Sequence, residues 1–109
     1  MDGHDQYVID SRKKIAVTAR HMIAGAISYI EGARRISALG TESDLERDDA
    51  DIEPFILIES ETDALPIGKT RELWKPEALT KLQPEIDRAE QWARDIATVH
   101  CHNLIARFG

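Results

Sequence analysis

Two runs of apolar residues at steps of three and four, one on each side of an acidic middle, limit what this chain can fold into more than any other feature. In the first run, Ile15, Ala19, Met22, Ile23, Ala26, Tyr29, Ile30, Ala33 and Ile36 fall on one stripe of a 3.6-residue period. The stripe predicts a long helix from about Ser11 to Leu39, with Asp10 or Ser11 capping its start and Gly40 standing at its C-terminal cap. In the second run, Leu82, Ile86, Ala89, Trp92, Ala93, Ile96 and Val99 predict a helix from about Pro84 to Phe108. A shorter helical lead-in follows Pro76, and a kink or break is expected near Gln83, because proline is best tolerated in a first turn. The expected fold class is therefore all-α: an elongated helical hairpin of two long helices, with one or two short helices and an irregular acidic middle segment. A chain of 109 residues holds one core, so residues 1–109 are expected to form a single domain.

The middle segment, residues 41–63, concentrates charge. It carries ten of the twenty carboxylates against Arg47 alone, a net −9, and leaves the flanking arms at +3. Such a segment either folds back on its own arms or presents a charged surface to a basic partner. Ser43 to Glu46 and Ser60 to Asp63 each have the form of a capping box, in which a hydroxyl and a carboxylate satisfy helix-start amides. Phe55-Ile56-Leu57-Ile58 favours a strand by composition, but an isolated strand has no partner for its backbone. That run is expected as a buried extended segment, a strand paired with its copy in a dimer, or the interior of a short helix.

The overall charge of −6 argues against a nucleic-acid partner, since phosphate contacts need clustered Lys and Arg. Arg12-Lys13-Lys14 and Arg34-Arg35 are short basic runs at opposite ends of the predicted first helix. No apolar stretch reaches the length of a bilayer span, so no membrane association is expected. The acidic opening Met1-Asp2-Gly3-His4-Asp5 is unlike a secretory leader, and the single Cys101 excludes an intramolecular disulfide. A cytoplasmic location is the expectation. Gly25 and Gly32, with small residues around them, thin the first helix and suggest close approach of another helix. Because an elongated hairpin covers its stripes poorly by itself, a homodimer is expected.

Motifs for chemistry are weak. Counting a calcium loop from Asp44 puts Asp49 where glycine is needed and Phe55 where a bidentate Glu should be. His100 and His102 point about 200° apart on a helix, so His100-Cys101-His102 cannot grip one zinc, and the same spacing counts against a Cys-His nucleophile pair. No metal or cofactor is expected. Asp87 and Glu90 form one acidic pair on the second helix, where magnesium-dependent helical enzymes need two facing pairs and the first helix offers only Glu31. A solvent-facing ion-pair ladder is the expectation there.

The stretch Ile58 to Trp74 (Ile-Glu-Ser-Glu-Thr-Asp-Ala-Leu-Pro-Ile-Gly-Lys-Thr-Arg-Glu-Leu-Trp), with Pro76-Glu-Ala-Leu79 and the ending Asn103 to Phe108, resembles a type of short uncharacterised bacterial protein, a domain of unknown function. The resemblance implies a bacterial cytosolic origin and transfers no functional residues.

Two functional expectations remain. The first is a small acidic interaction protein, immunity- or inhibitor-like, that regulates or neutralises a basic protein partner through Asp44, Glu46, Asp48, Asp49, Asp51 and Glu53. The alternative is a ligand-binding protein or enzyme using the polar end of the hairpin. There, His100, Asn103 and Arg107 continue the second stripe inward and need carboxylates, supplied by the facing helix or by the acidic middle; a ligand site is expected to fold Glu59, Glu61 or Asp63 onto His100 and Arg107.

Overall fold

The computed structural model describes residues 2–109. Among them there is no strand; four α-helices, α1 (Gly3–Ile23), α2 (Tyr29–Glu42), α3 (Glu53–Thr62) and α4 (Pro76–Phe108), are joined by turns and one 3-10 turn, Gly68–Leu73. The molecule is elongated, 52 × 26 × 24 Å. Its long axis is set by α4, since 33 residues at 1.5 Å each give about 50 Å.

The predicted first helix is two helices. The backbone turns at Gly25, whose φ of +78° ends α1, and the Gly25 amide donates to Met22 O while the Ala26 amide donates to His21 O. These two bonds form a Schellman cap, which needs a residue in the left-handed region that glycine enters without penalty. Three residues later Ser28 starts α2, its hydroxyl accepting from the Glu31 amide at 3.0 Å. Ser28-Tyr29-Ile30-Glu31 is thus a helix-start signature, and the continuous apolar stripe hides it because both helices bury the same side. The true start of α1 is also earlier than Ser11. Asp2 caps it through the Asp5 amide at 2.9 Å, and Ser11 is buried within the helix.

Folded back on itself, the α1–α2 hairpin brings His4 to Asp44 at 2.9 Å and Arg12 to Ser43 O at 3.1 Å. Gly32 is consumed inside this hairpin: a Cβ there would collide with Sδ of the buried Met22. Gly40 lies within α2, where a Cβ would meet Ile52 Cγ2 at 3.2 Å, so it makes room for the loop and does not cap the helix. The cap is Ser43, and the left-handed residue after it is Asp44, with φ of +55°. The capping boxes expected at Ser43 and Ser60 do not form, because both serines sit at or near helix C-terminal ends.

Phe55 to Ile58 form the interior of α3, with Phe55 and Ile58 fully buried and Pro54 in the first turn. The end of α3 is closed by Arg34, which donates to Thr62 O at 2.6 Å and to Leu65 O at 3.4 Å, placing a cation where the helix exposes its last carbonyls.

Helix α4 runs without a break through Pro84. Its buried stripe is Ile86, Ala93, Ala97, Cys101 and Leu104, whereas Trp92 is 36% and Val99 56% exposed. The expected stripe therefore begins in phase and drifts off. Small residues at Ala93, Ala97 and Cys101 on α4 pack against α1, which buries Ala16 and Ala19, so small residues let a neighbouring helix come close within the chain. The core is completed by Ile15, Met22, Ile30, Ala33, Ile36, Ile52, Phe55 and Ile58.

Candidate functional site

The loop between α2 and α3 is a built structure. Asp49 organises it: its backbone carbonyl accepts from the amides of Ile52 and Glu53, and its Oδ1 accepts from the Asp51 amide at 2.9 Å. An aspartate that bonds the amide two residues on mimics a backbone turn, the usual reason for its place in tight loops. The same carboxylate is gripped at both oxygens by Arg107, at 2.8 and 2.9 Å. Asp51 adds a second anchor. Its Oδ2 accepts from Arg107 at 3.1 Å, and its Oδ1 accepts from Asn103 Nδ2 at 2.9 Å and lies 3.0 Å from His100 Nδ1.

These contacts keep both carboxylates ionised. For Asp49, the Arg107 hydrogen bonds outweigh burial and hold the carboxyl below its usual range. For Asp51, burial pushes the carboxyl up, but hydrogen bonds from His100, Asn103 and Arg107 together leave it below its usual range. An ionised carboxylate only accepts, so His100 carries its proton on Nδ1. Arg107 also stacks over the Phe108 ring, 4.8 Å from its centroid.

His100, Asn103 and Arg107 thus come together at the end of α4, beside the stripe and not within it, since Asn103 and Arg107 keep solvent contact. Their carboxylates come from the loop. Glu59, Glu61 and Asp63 are not brought to them: α3 lies antiparallel to α4, with its first turn beside His100 and its last beside Glu85 and Arg88. Ten residues of helix, about 15 Å, separate the two ends. Of the loop carboxylates, Asp49 and Asp51 are turned inward, while Glu46, Asp48 and Glu53 are exposed and Asp44 pairs at the surface with His4.

Beside the anchored loop the seam between α3 and α4 is open. A depression of about 300 Å³ lined by Ala50, Glu53, Pro54, Leu57, Ile96 and His100 lies at one end, and one of about 280 Å³ lined by Glu61, Glu85, Arg88 and Trp92 at the other. Leu57 is 45% exposed. The sequence pattern does not show this seam, because Leu57 sits in an all-apolar run and Trp92 in the expected core stripe.

A cleft of about 550 Å³ borders the α1–α2 turn and is lined in part by Glu31, Asp87, Glu90 and Arg94. Glu90 does not face solvent as part of an ion-pair ladder. Its two oxygens accept from the Tyr29 and Ile30 amides at 2.7 and 3.1 Å, so α4 supplies the anion that the positive end of α2 favours. Among the described residues no group of three or more His, Cys, Asp or Glu side chains is arranged to hold a metal ion. Cys101 is buried at the core with its thiol pushed up to about 12, which leaves essentially no thiolate at neutral pH. No helix among the described residues is long and apolar enough to cross a membrane. In comparisons with known proteins, no family model, curated protein or solved structure matches the chain.

Proposed function

We propose that this protein is a small helical interaction module that binds a basic segment of a protein partner along the acidic loop and the α3–α4 seam. The observation that carries this reading is the division of labour in the loop. Asp49 and Asp51 are spent on fixing the loop to α4, which leaves Asp44, Glu46, Asp48 and Glu53 displayed from a braced backbone beside exposed Leu57. Charge held in place costs less ordering on binding than charge on a mobile chain, and it steers an oppositely charged partner. The near end of the seam, with Ala50, Pro54, Leu57 and Ile96, supplies the water-excluding contact that exposed charge pairs lack. An immunity- or inhibitor-like role, in which a basic partner is neutralised, fits this chemistry, and a cytoplasmic setting fits the free thiol.

The test reverses the displayed carboxylates and spares the anchors. Glu46 and Asp48 changed together to Lys should leave the thermal melt within a few degrees of wild type, because both side chains are exposed and neither braces the loop, whereas Asp44 is spared for its bond to His4 and its left-handed backbone. Partners captured by the wild type from the native host should associate with this variant at least tenfold more slowly at physiological ionic strength, with a weakened salt dependence. Equal association rates for both forms would reject the acidic loop as the contact surface.

A further inference from the structure

We infer that the groove between α1 and α2 is a docking site for the α3 ridge of a second copy of this chain. Its floor is apolar, made by Val17, Ala38 and Leu39, and its rim is basic, made by Lys13, Lys14 and Arg35 with His21 one turn further along α1. The hairpin fold creates this surface: Lys13 and Lys14 of one basic run and Arg35 of the other, distant along a single helix, border the same groove once α2 folds back on α1. Val17 is 46% exposed, a β-branched apolar side chain open to water between cations.

The occupant is indicated by matched spacing and opposite charge. On α1, Lys13, Val17 and His21 follow one another at steps of four, and on α3, Glu53, Leu57 and Glu61 do the same. All six are exposed. Four residues of helix advance about 6 Å, so each row places an apolar side chain between two polar ones at the same intervals. One row is basic at Lys13, the other acidic at both ends. Leu57 set against Val17 and Leu39 therefore brings Glu53 and Glu61 onto the basic rim, with like charges kept apart. The groove and the ridge are different surfaces, so the contact is head-to-tail, and each copy keeps a free groove at one end and a free ridge at the other. The ridge shares Glu53 and Leu57 with the surface proposed for the basic partner, so a second copy and that partner compete for α3, whereas the groove on α1 and α2 belongs to this inference alone.

The experiment uses the full chain and two variants confined to exposed positions. The groove variant carries Lys13→Glu and Val17→Asp, and the ridge variant carries Glu53→Lys and Leu57→Ser. Sedimentation velocity from micromolar to millimolar concentration at physiological ionic strength should show wild type growing beyond a dimer. Each variant alone should be monomeric, with self-affinity lowered at least tenfold and unchanged helical circular dichroism. Mixed one to one, the two variants should form a discrete dimer and stop, because one retains only its ridge and the other only its groove. A wild type that stays monomeric throughout would overturn the inference. So would self-association that survives both variants, or a mixture that remains monomeric. Partner capture by the groove variant reads the basic-partner proposal separately, because that variant leaves the loop and seam intact.

Discussion

Replacing Arg107 with Leu tests the claim that the acidic loop is braced. The guanidinium donates three hydrogen bonds, two to Asp49 and one to Asp51, and its side chain is 36% exposed, while the two carboxylates are only 17% and 14% exposed. A fully buried pair broken on one side costs about 3–5 kcal/mol, and a fully exposed one about 0–1 kcal/mol. With one partner a third exposed and water able to screen it, the expected loss is about 2 kcal/mol, moderated because Asp51 keeps His100 and Asn103. For a domain of this size that lowers the melting temperature by roughly 5–10 °C. The pH dependence has a definite sign. Both carboxyls lie lower in the folded chain than their ordinary 3.8, so their contribution is complete above that value and is lost as pH falls through the folded values. Denaturant melts of wild type and Arg107→Leu should therefore differ by about 2 kcal/mol at pH 7 and converge below pH 3.8. Hydrogen exchange should show the amides of Asp51 and Ile52 opening faster in the variant, since their acceptors belong to Asp49. Identical melts at pH 7, or a gap that persists in acid, would refute the brace.

Three further outcomes are expected. Glu90→Ala should cost about 1–2 kcal/mol in a denaturant melt, because the first amides of α2 lose a charged acceptor, and Glu90→Gln should cost less. Gly32→Leu should destabilise the isolated chain by about 2 kcal/mol or more through collision with Met22, and should do so at any protein concentration, which separates it from a dimer effect. Cys101 should resist a thiol reagent in the native protein at pH 8 and react at once in denaturant; rapid labelling of the folded chain would show that the α1–α4 contact opens.

Much of this architecture is legible in local residue chemistry. The two apolar periodicities require helices, the length allows one core, and the shortage of bases in residues 41–63 makes their carboxylates seek partners on another element or in solvent. Even the break in the first helix is written in Gly25 and in the Ser28 to Glu31 cap, although the continuous stripe masks it, since two antiparallel helices that bury the same side leave an unbroken row of apolar residues. The phase of α4 is different in kind. Apolar residues occur on two adjoining faces, one with Ala97, Cys101 and Leu104 and the other with Trp92, Ile96 and Val99, and periodicity alone does not rank them. Only docking against α1 does so, because the smaller residues at Ala93, Ala97 and Cys101 let the helix axes approach and leave Trp92 and Val99 on the rim. The same docking decides which carboxylates meet Arg107. By composition Glu59, Glu61 and Asp63 serve as well as Asp49 and Asp51; the direction in which α3 packs on α4 carries the first three to the far end of the seam. Chain chemistry determined that there would be helices, one core and a charged middle in need of partners. Tertiary packing decided which face is inside and which acid meets which base, because those choices depend on distances between residues far apart in sequence.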